Sequence, residues 1–379
     1  MNIYEGFLHP GSTLRGLGIV GRAVAVRSPL PITSNVLITT DKGQIKLVAT
    51  DAQSLTMSCW IGGQIDEEGG ITVPARLLTD FVNTLPNDRI TMSVAPRSRQ
   101  MRLVCARNEA TIGGIDAEEF PPAPSVKDGV TVALKPKELR QAIAQTVFAA
   151  ATDDSRPILT GVNTKLEGSE LMLAASDGFR LSVFKLPLEK PVSEKTEIVI
   201  PAKALSELHR LLGDEEGDVV LQTDASRTRV LFRLTNVEMV AQLIQGTFPN
   251  ISQLIPTTWT TSATVSVSDF LRETRIASVF ARDGSGIVRL VVTPGEGGMP
   301  GTVKISARAE EIGDNEGVID AAVEGEGVKI AFNGKYLQDL LQALDAGEIA
   351  MQTTGPSSQG AFRPVGADNY VHIIMPMFV

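Results

Sequence analysis

Asp153-Asp154 is the one place in the chain where two aspartates stand side by side. Paired carboxylates hold divalent metals or divide the work of acid and base, so the pair is a candidate for hydrolytic chemistry. The competing assignment is a solvated loop after a helix. Asp177, followed by Gly178, is a second candidate carboxylate, yet Asp-Gly between two apolar runs is also the strongest short signal for a hairpin turn. His209 sits beside Arg210 on a helix, as a surface residue. His9 and His372 have no serine or carboxylate at a spacing that suggests a triad. Two cysteines and three histidines leave no metal-ligand cluster to assemble, so neither metal nor cofactor is expected. Gly295-Glu-Gly-Gly298 resembles a phosphate loop, but no helix start follows it, and there is no nucleophile elbow or dinucleotide fingerprint. A chemical reading therefore rests on Asp153, Asp154 and Asp177, as in a repeat-built enzyme or a carbohydrate-binding protein.

The elements that would position such residues are written as a repeat. Pro31 and Pro157 open similar apolar runs 126 residues apart, and Asp51 and Asp177 close them at the same offset. Ile71-Thr-Val-Pro-Ala-Arg-Leu-Leu matches Ile198-Val-Ile-Pro-Ala-Lys-Ala-Leu, with Pro74 and Pro201 at an offset of 127; Phe120-Pro and Phe248-Pro differ by 128. A weaker third copy places Asn333 where Pro201 stands, 132 residues on. Such a period sets the architecture before any single residue does. Apolar spacing predicts helices near 12–27, 74–85, 135–150, from 201, 266–281 and 333–344. In the second unit, alternating runs predict strands at 158–165, 170–176, 179–186, 218–223, 228–234 and 237–245. Gly16, Gly18 and Gly21 weaken the first helix. Aperiodic joints at 121–129 and 255–262 divide the chain into domains 1–125, 126–256 and 257–379, each α+β.

Composition is that of an ordinary globular chain, 43% hydrophobic and 21% charged. With no basic, apolar leader and no apolar run near about 18 residues, a soluble cytoplasmic protein without membrane contact is expected. Cys59 and Cys105 lie in strand-like stretches; a disulfide fits, but two buried free thiols fit a cytosolic chain better. The net charge of -9 is unevenly spread: the six predicted helices hold twelve basic and seven acidic residues, +5, leaving -14 elsewhere. Basic helices within an acidic shell suit a polyanion held against the helices, although ordinary surface decoration gives a similar count. The chain ends on Tyr370-Val-His-Ile-Ile-Met-Pro-Met-Phe-Val379. This is either a buried last strand ended by Pro376 or the wall of an apolar groove, where methionines adapt to peptides.

Arg156-Pro-Ile-Leu-Thr-Gly161, Ser176-Asp-Gly-Phe-Arg-Leu181, Phe248-Pro249 and Ile374-Met-Pro-Met377, in this order and with this repeat, resemble the bacterial β sliding clamp family, the processivity subunit of DNA polymerase III. The resemblance spans essentially the whole chain. It implies three clamp domains, each with two helices packed on antiparallel sheets, and a head-to-tail homodimer closing into a ring around double-stranded DNA. The implied role is non-catalytic: tethering the polymerase at the nucleoid without sequence readout. The ring contact it implies sets Ala110 and Ile112 against Val279 and Phe280. The peptide groove it implies comprises Leu159, Ser176, Gly178, Phe179, Arg180, Leu181, Pro249, Gln253, Leu254, Tyr336, Gln359, Ile373, Ile374, Met375, Pro376 and Met377. Its partners would be short linear peptides of the polymerase III catalytic subunit, the clamp loader, translesion polymerases and mismatch-repair proteins. Phe179 stands where a histidine is common, Gln253 where an arginine can sit, and Phe378 where a basic residue is frequent. These changes imply weaker dependence on acidic residues in the bound peptide. Candidates to face DNA are Arg22, Arg140, Lys203, Arg210, Arg272 and Arg275.

Overall fold

The computed structural model describes the chain apart from residues 1–3, 26–29, 96–97, 283–284, 298, 310–312 and 379. Among the described residues the chain runs six times through a strand, a helix and three strands, with short extra strands at Gly63–Ile65 and Ile115–Asp116. The helices are α1 (Pro10–Val20), α2 (Ala75–Thr84), α3 (Pro136–Ala144), α4 (Ala202–Leu211), α5 (Val267–Arg282) and α6 (Gly334–Gln342). Each third of the chain supplies two of them together with its antiparallel strands.

The repeat has local causes. Pro31 and Pro157 each start a short 3-10 turn, because the ring presets the φ such a turn needs. Asp51 Oδ1 accepts the backbone N–H groups of Gln53, Ser54 and Leu55; Asp177 Oδ1 accepts those of Phe179 and Arg180. Both aspartates close a strand pair, as Asx turns do. Pro74, Pro201 and Asn333 each stand immediately before a helix, and only Asn333 can cap with its side chain, accepting from Lys335 at 2.9 Å.

Three expected boundaries move. α1 ends at Val20 and tightens into a 3-10 turn at Gly21–Ala23. The region from 25 onward is not helical where described, and Arg27 lies outside the described residues, as does Asp283 beyond α5. α3 stops at Ala144 rather than 150; the Thr146 hydroxyl bonds back to the Ala142 carbonyl at 2.6 Å, and a 3-10 turn follows at Val147–Ala149. The strand expected from 158 begins at Gly161, after the Pro157 turn.

The described residues form two compact units. In the unit of Met1–Lys137 and Glu207–Leu243, a five-stranded antiparallel sheet runs in the order Gly63–Ile65, Tyr4–Leu8, Ile90–Ala95, Gln100–Cys105, Asn108–Gly113. A nine-stranded sheet joins the first third of the chain to the second, through Leu55–Ile61 paired with Val237–Gln242. α1 lays Leu17 and Val20 on this sheet, and Gly16 makes the approach possible: a Cβ there would stand 2.9 Å from Leu47 and from Ile61. Cys59 and Cys105 are buried free thiols, and burial pushes the Cys59 thiol up to about 11.

In the unit of Glu138–Ser206 and Ile244–Val379, one twelve-stranded sheet carries the fold. The last strand, Tyr370–Ile374, lies between Arg180–Pro187 and Gly360–Pro364. Leu337, Leu340 and Leu341 of α6, at helical spacing, are buried beside Phe270 of α5. Each such side chain contributes about 1.5–3 kcal/mol of burial. Phe332 and Phe362 pack edge to face, with centroids 5.6 Å apart.

Candidate functional site

The site grows from the hairpin between Glu170–Ser176 and Arg180–Pro187, in register Ser176 to Leu181. Asp177 and Gly178 form its turn, Gly178 at φ +93°. Ser176 Oγ donates to the Arg180 carbonyl at 2.7 Å and accepts the Gly178 N–H at 3.1 Å, so this serine is consumed by the turn. The C-terminal strand runs beside it, Leu181 opposite Ile373 and Arg180 opposite Ile374. The tail is then pinned twice by backbone: Met375 N–H to the Phe179 carbonyl at 2.9 Å, and Met377 N–H to the Ala331 carbonyl at 2.8 Å. The terminus is a buried strand through Ile374, with Met375 and Phe378 exposed beyond it and Pro376 and Met377 half-buried.

The residues expected to line one groove divide by depth. Leu159, Leu181 and Ile373 are buried in a core cluster with Phe248 and Ile251, and Ile374 is fully covered. Leu159 is covered from the Pro157–Thr160 turn, and Leu181, Ile373 and Ile374 from paired strands. Gly178, Phe179, Pro249, Gln253, Leu254 and Met375 are exposed; Tyr336, Gln359, Pro376 and Met377 are half-buried. Phe179 is 62% exposed and Phe378 83%, while Leu254 and Met375 are each 43% exposed.

Arg180, one of the expected groove residues, is held from several sides. Its side chain is only 9% exposed. Nε meets Asp177 Oδ2 at 3.0 Å, Nη1 meets Asp339 Oδ2 at 2.8 Å, and Nη2 donates to the Phe148 carbonyl at 2.7 Å. The guanidinium also lies over the Tyr336 ring, 4.3 Å from its centroid. Burial, then Asp177, pushes the Tyr336 phenol up. Below, His372 is fully buried and stacks on Phe148 at 5.3 Å with neither ring nitrogen hydrogen-bonded. Burial, aided by Arg180, depresses it to about 3, so it is neutral. Sequence reasoning missed Phe148, Asp339 and Arg156 as parts of this site. Arg156 Nη2 donates to the Asp177 carbonyl at 2.8 Å and its guanidinium covers Gly178. It stood in plain view at the head of the motif Arg156-Pro-Ile-Leu.

Carboxylate chemistry finds no footing here. Asp153 is exposed and bonds its neighbour Ser155, Asp154 is exposed beside it, and Asp177 is committed to its turn and to Arg180. Among the described residues no three His, Cys, Asp or Glu side chains are grouped to hold a metal.

The basic helix residues also divide. The six α-helices carry ten basic and six acidic side chains. Arg22, in the 3-10 turn after α1, pairs with Glu207 at 3.1 Å, and Arg210 shares that carboxylate at 3.2 Å. Arg272 pairs with Asp269 at 2.6 Å and Glu273 at 3.0 Å. Arg140, Lys203 and Arg275 are exposed with no acidic partner among the described residues. No helix of the described residues is long and apolar enough to cross a membrane.

Asn108–Gly113 and Gly313–Ala321 are among the open strand edges of the described residues. Asn108–Gly113 ends the five-stranded sheet, paired only with Gln100–Cys105. Gly313–Ala321 pairs on one side with Gly301–Ala309, while Thr261–Thr264 takes only the later stretch 322–325. Ala110 is half-buried on the first edge strand; Ile112 is turned into its own core at 5% exposure and offers little outward surface. On α5, Val279 and Ile276 are exposed and Phe280 half-buried.

Comparison with known proteins follows the same division into thirds. Residues 12–124, 133–250 and 252–378 match the models of the DNA polymerase III beta subunit N-terminal, central and C-terminal domains. The chain is 30% identical over 364 residues to the beta sliding clamps of Staphylococcus aureus and Staphylococcus epidermidis, covering 94% of this chain and 94% of each relative. The crystal structure of the Bacillus subtilis DNA polymerase sliding clamp superposes with a TM-score of 0.93 at 29% identity, covering all of both chains. The DNA polymerase III beta chain of Streptococcus pneumoniae gives 0.91 at 28%, again over all of both chains. On these grounds the chain belongs to the DNA polymerase III beta subunit family, the bacterial beta sliding clamps.

Proposed function

We propose that this chain is a processivity factor: a non-catalytic sliding clamp that encircles duplex DNA and tethers the replicative polymerase to it. The observation that carries the reading is family membership along the whole chain, with each third matching its own clamp domain in order. Two open strand edges, Asn108–Gly113 and Gly313–Ala321, suit head-to-tail pairing of two copies, since an unsatisfied edge is a template for another strand. Repeated head to tail, such a heterologous contact closes a ring when the rotation allows. Val279 and Phe280 on α5 would supply apolar packing beside the strands, with Ala110 facing them. Domain boundaries at 125 and 256 fit the same arrangement.

Partners would dock on the exposed apolar surface of Phe179, Leu254, Met375 and Phe378, as short peptides with an apolar anchor. Polymerase III, the clamp loader, translesion polymerases and mismatch-repair proteins would share it, and the protein would work at the nucleoid. DNA would meet the unpaired cations Arg140, Lys203 and Arg275 first. Contacts of this kind are to phosphates, so they hold without reading sequence.

The test is topological. The purified protein is expected to run at twice its chain mass. Once loaded on nicked circular DNA it should stay bound until the circle is linearised, and it should lengthen the products of its polymerase. A monomer that leaves product length unchanged overturns the reading.

A further inference from the structure

We propose that the cavity beneath the segment from Thr247 to Thr257 is a second ligand site, one that takes a small apolar body carrying a single carboxylate, with Arg363 as its counter-charge. The segment packs on the face of the twelve-stranded sheet where Val183 stands opposite Val371. Phe248 and Ile251 anchor it in the core cluster, and beyond them it leaves a cavity of about 710 Å³. Ligand pockets commonly measure about 300–1,000 Å³. Met172, Val183 and Val371, from three neighbouring strands, give the cavity an apolar wall, and Ile255 borders it from the segment. Of the residues expected to line the peptide groove, Pro249 alone borders this cavity.

Arg363 lines the cavity as a charge without a counter-charge. It lies on the strand Gly360–Pro364 and is half-buried. Nη1 donates to Gln352 Oε1 at 2.6 Å and Nη2 to the Pro256 carbonyl at 3.1 Å. Both acceptors are neutral. Burial pushes the guanidinium down, and no neighbouring carboxylate offsets that. A guanidinium carries five N–H donors, and these bonds use two of them. A carboxylate meets such a fork with both oxygens, and it restores the charge balance that burial has withheld. The other charges of the lining are matched or solvated. Lys165 pairs with Glu167 at 2.5 Å and Lys185 with Glu170 at 3.2 Å. Glu197 accepts from Asn163 Nδ2 at 3.0 Å, and Asp368 is exposed. Three cations thus stand against two carboxylates, Glu197 and Asp368, so one further negative charge brings the lining to neutral. Docking of this kind is independent of whether the chain acts as a clamp.

Cinnamate is the probe, and cinnamamide the neutral control of the same shape. Both would be titrated into the full-length protein and followed by saturation-transfer NMR and calorimetry. Cinnamate is expected to bind at least about tenfold more tightly than cinnamamide, because hydrogen bonds between two charged groups exceed those to a neutral amide. Arg363→Gln should remove that preference. Lys185→Gln should leave it unchanged, since an exposed pair contributes little. Met172→Trp, at a half-buried position, should fill the cavity and abolish binding of both probes. Met375→Ala, in the surface proposed for partner peptides, should alter neither. Equal binding of the two probes overturns the proposal, as does no cinnamate binding at millimolar concentration. So does a preference that survives Arg363→Gln or is lost in Lys185→Gln. Cinnamate binding that is lost in Met375→Ala and kept in Met172→Trp places the acid on the peptide surface and overturns it too. Should Arg363→Gln fail to fold, the Met172→Trp comparison decides alone.

Discussion

Arg180 and Asp339 are 159 residues apart in the chain and 2.8 Å apart in space, Nη1 to Oδ2. The pair ties the Asp177–Gly178 hairpin to α6, and Asp177, Phe148 and Tyr336 complete the guanidinium's shell. Asp339→Ala leaves Arg180 paired with Asp177 but with one buried donor lacking its acceptor. It is expected to cost about 1–3 kcal/mol in chemical denaturation. Arg180→Lys should cost nearly as much, because an ammonium cannot satisfy three acceptors in one plane. A loss under about 1 kcal/mol for both would mean the pair is solvated rather than buried.

Depth separates the apolar residues around that hairpin into two kinds of mutant. Leu181→Ala, in the core cluster, should lower stability by about 2–5 kcal/mol, and any effect on peptide binding would follow from that. Met375→Ala and Phe179→Ala should leave the unfolding midpoint nearly unchanged. Each should weaken a fluorescent partner peptide by about 1–2 kcal/mol, roughly five- to thirtyfold. If both surface variants bind normally, the peptide docks elsewhere.

Much of this was legible in the sequence, for a local reason. Prolines 31 and 157 and aspartates 51 and 177 act within a few residues of themselves, so the repeat they mark survives into the fold. Of the residues expected to line a groove, the apolar character was legible but the depth was not. Leu159, Leu181 and Met375 are all apolar, and which of them faces solvent is decided by strand register against Tyr370–Ile374, far away in sequence. The partners of Arg180, Phe148 and Asp339, were not legible because they lie on elements that sequence does not bring together.

The glycines of α1 make the same point and can be tested. Gly18 is exposed, with open space where a side chain would stand, whereas Gly16 presses on Leu47 and Ile61. Gly18→Ala should stabilise by about 0.5–1 kcal/mol, the ordinary helix preference for alanine. Gly16→Ala should destabilise by about 1–3 kcal/mol through overpacking. Denaturant midpoints moving in the same direction for both would remove the packing explanation of Gly16.

For DNA, the ion pairs rank the cations. Arg140, Lys203 and Arg275 need no partner exchange to meet a phosphate, while Arg22, Arg210 and Arg272 must first leave Glu207, Asp269 or Glu273. Replacing the first three by alanine should flatten the plot of log affinity against log salt by up to about three, near one per lost phosphate contact. Replacing the second three should change it less. Fluorescence anisotropy with duplex DNA between low and moderate salt reads both, and an inverted ranking would show that the cations facing DNA are the paired ones.

His372 gives the chain an acid-sensitive core. It is neutral when folded, held at about 3 by burial and Arg180 against a reference of 6.5. Between those values the unfolded chain binds a proton that the folded chain refuses. Stability from this residue is therefore fully present above pH 6.5 and is lost as pH falls toward 3, at up to about 1.4 kcal/mol per unit. The charged groups around it are Arg180, which opposes protonation, and Asp177 and Asp339, which Arg180 already neutralises. His372→Phe keeps a ring against Phe148 and cannot titrate. Urea unfolding from pH 6.5 to 4.5 should show the variant's stability falling less steeply than the parent's, by about 1.4 kcal/mol per unit at most. Parallel curves would place the acid sensitivity in other residues.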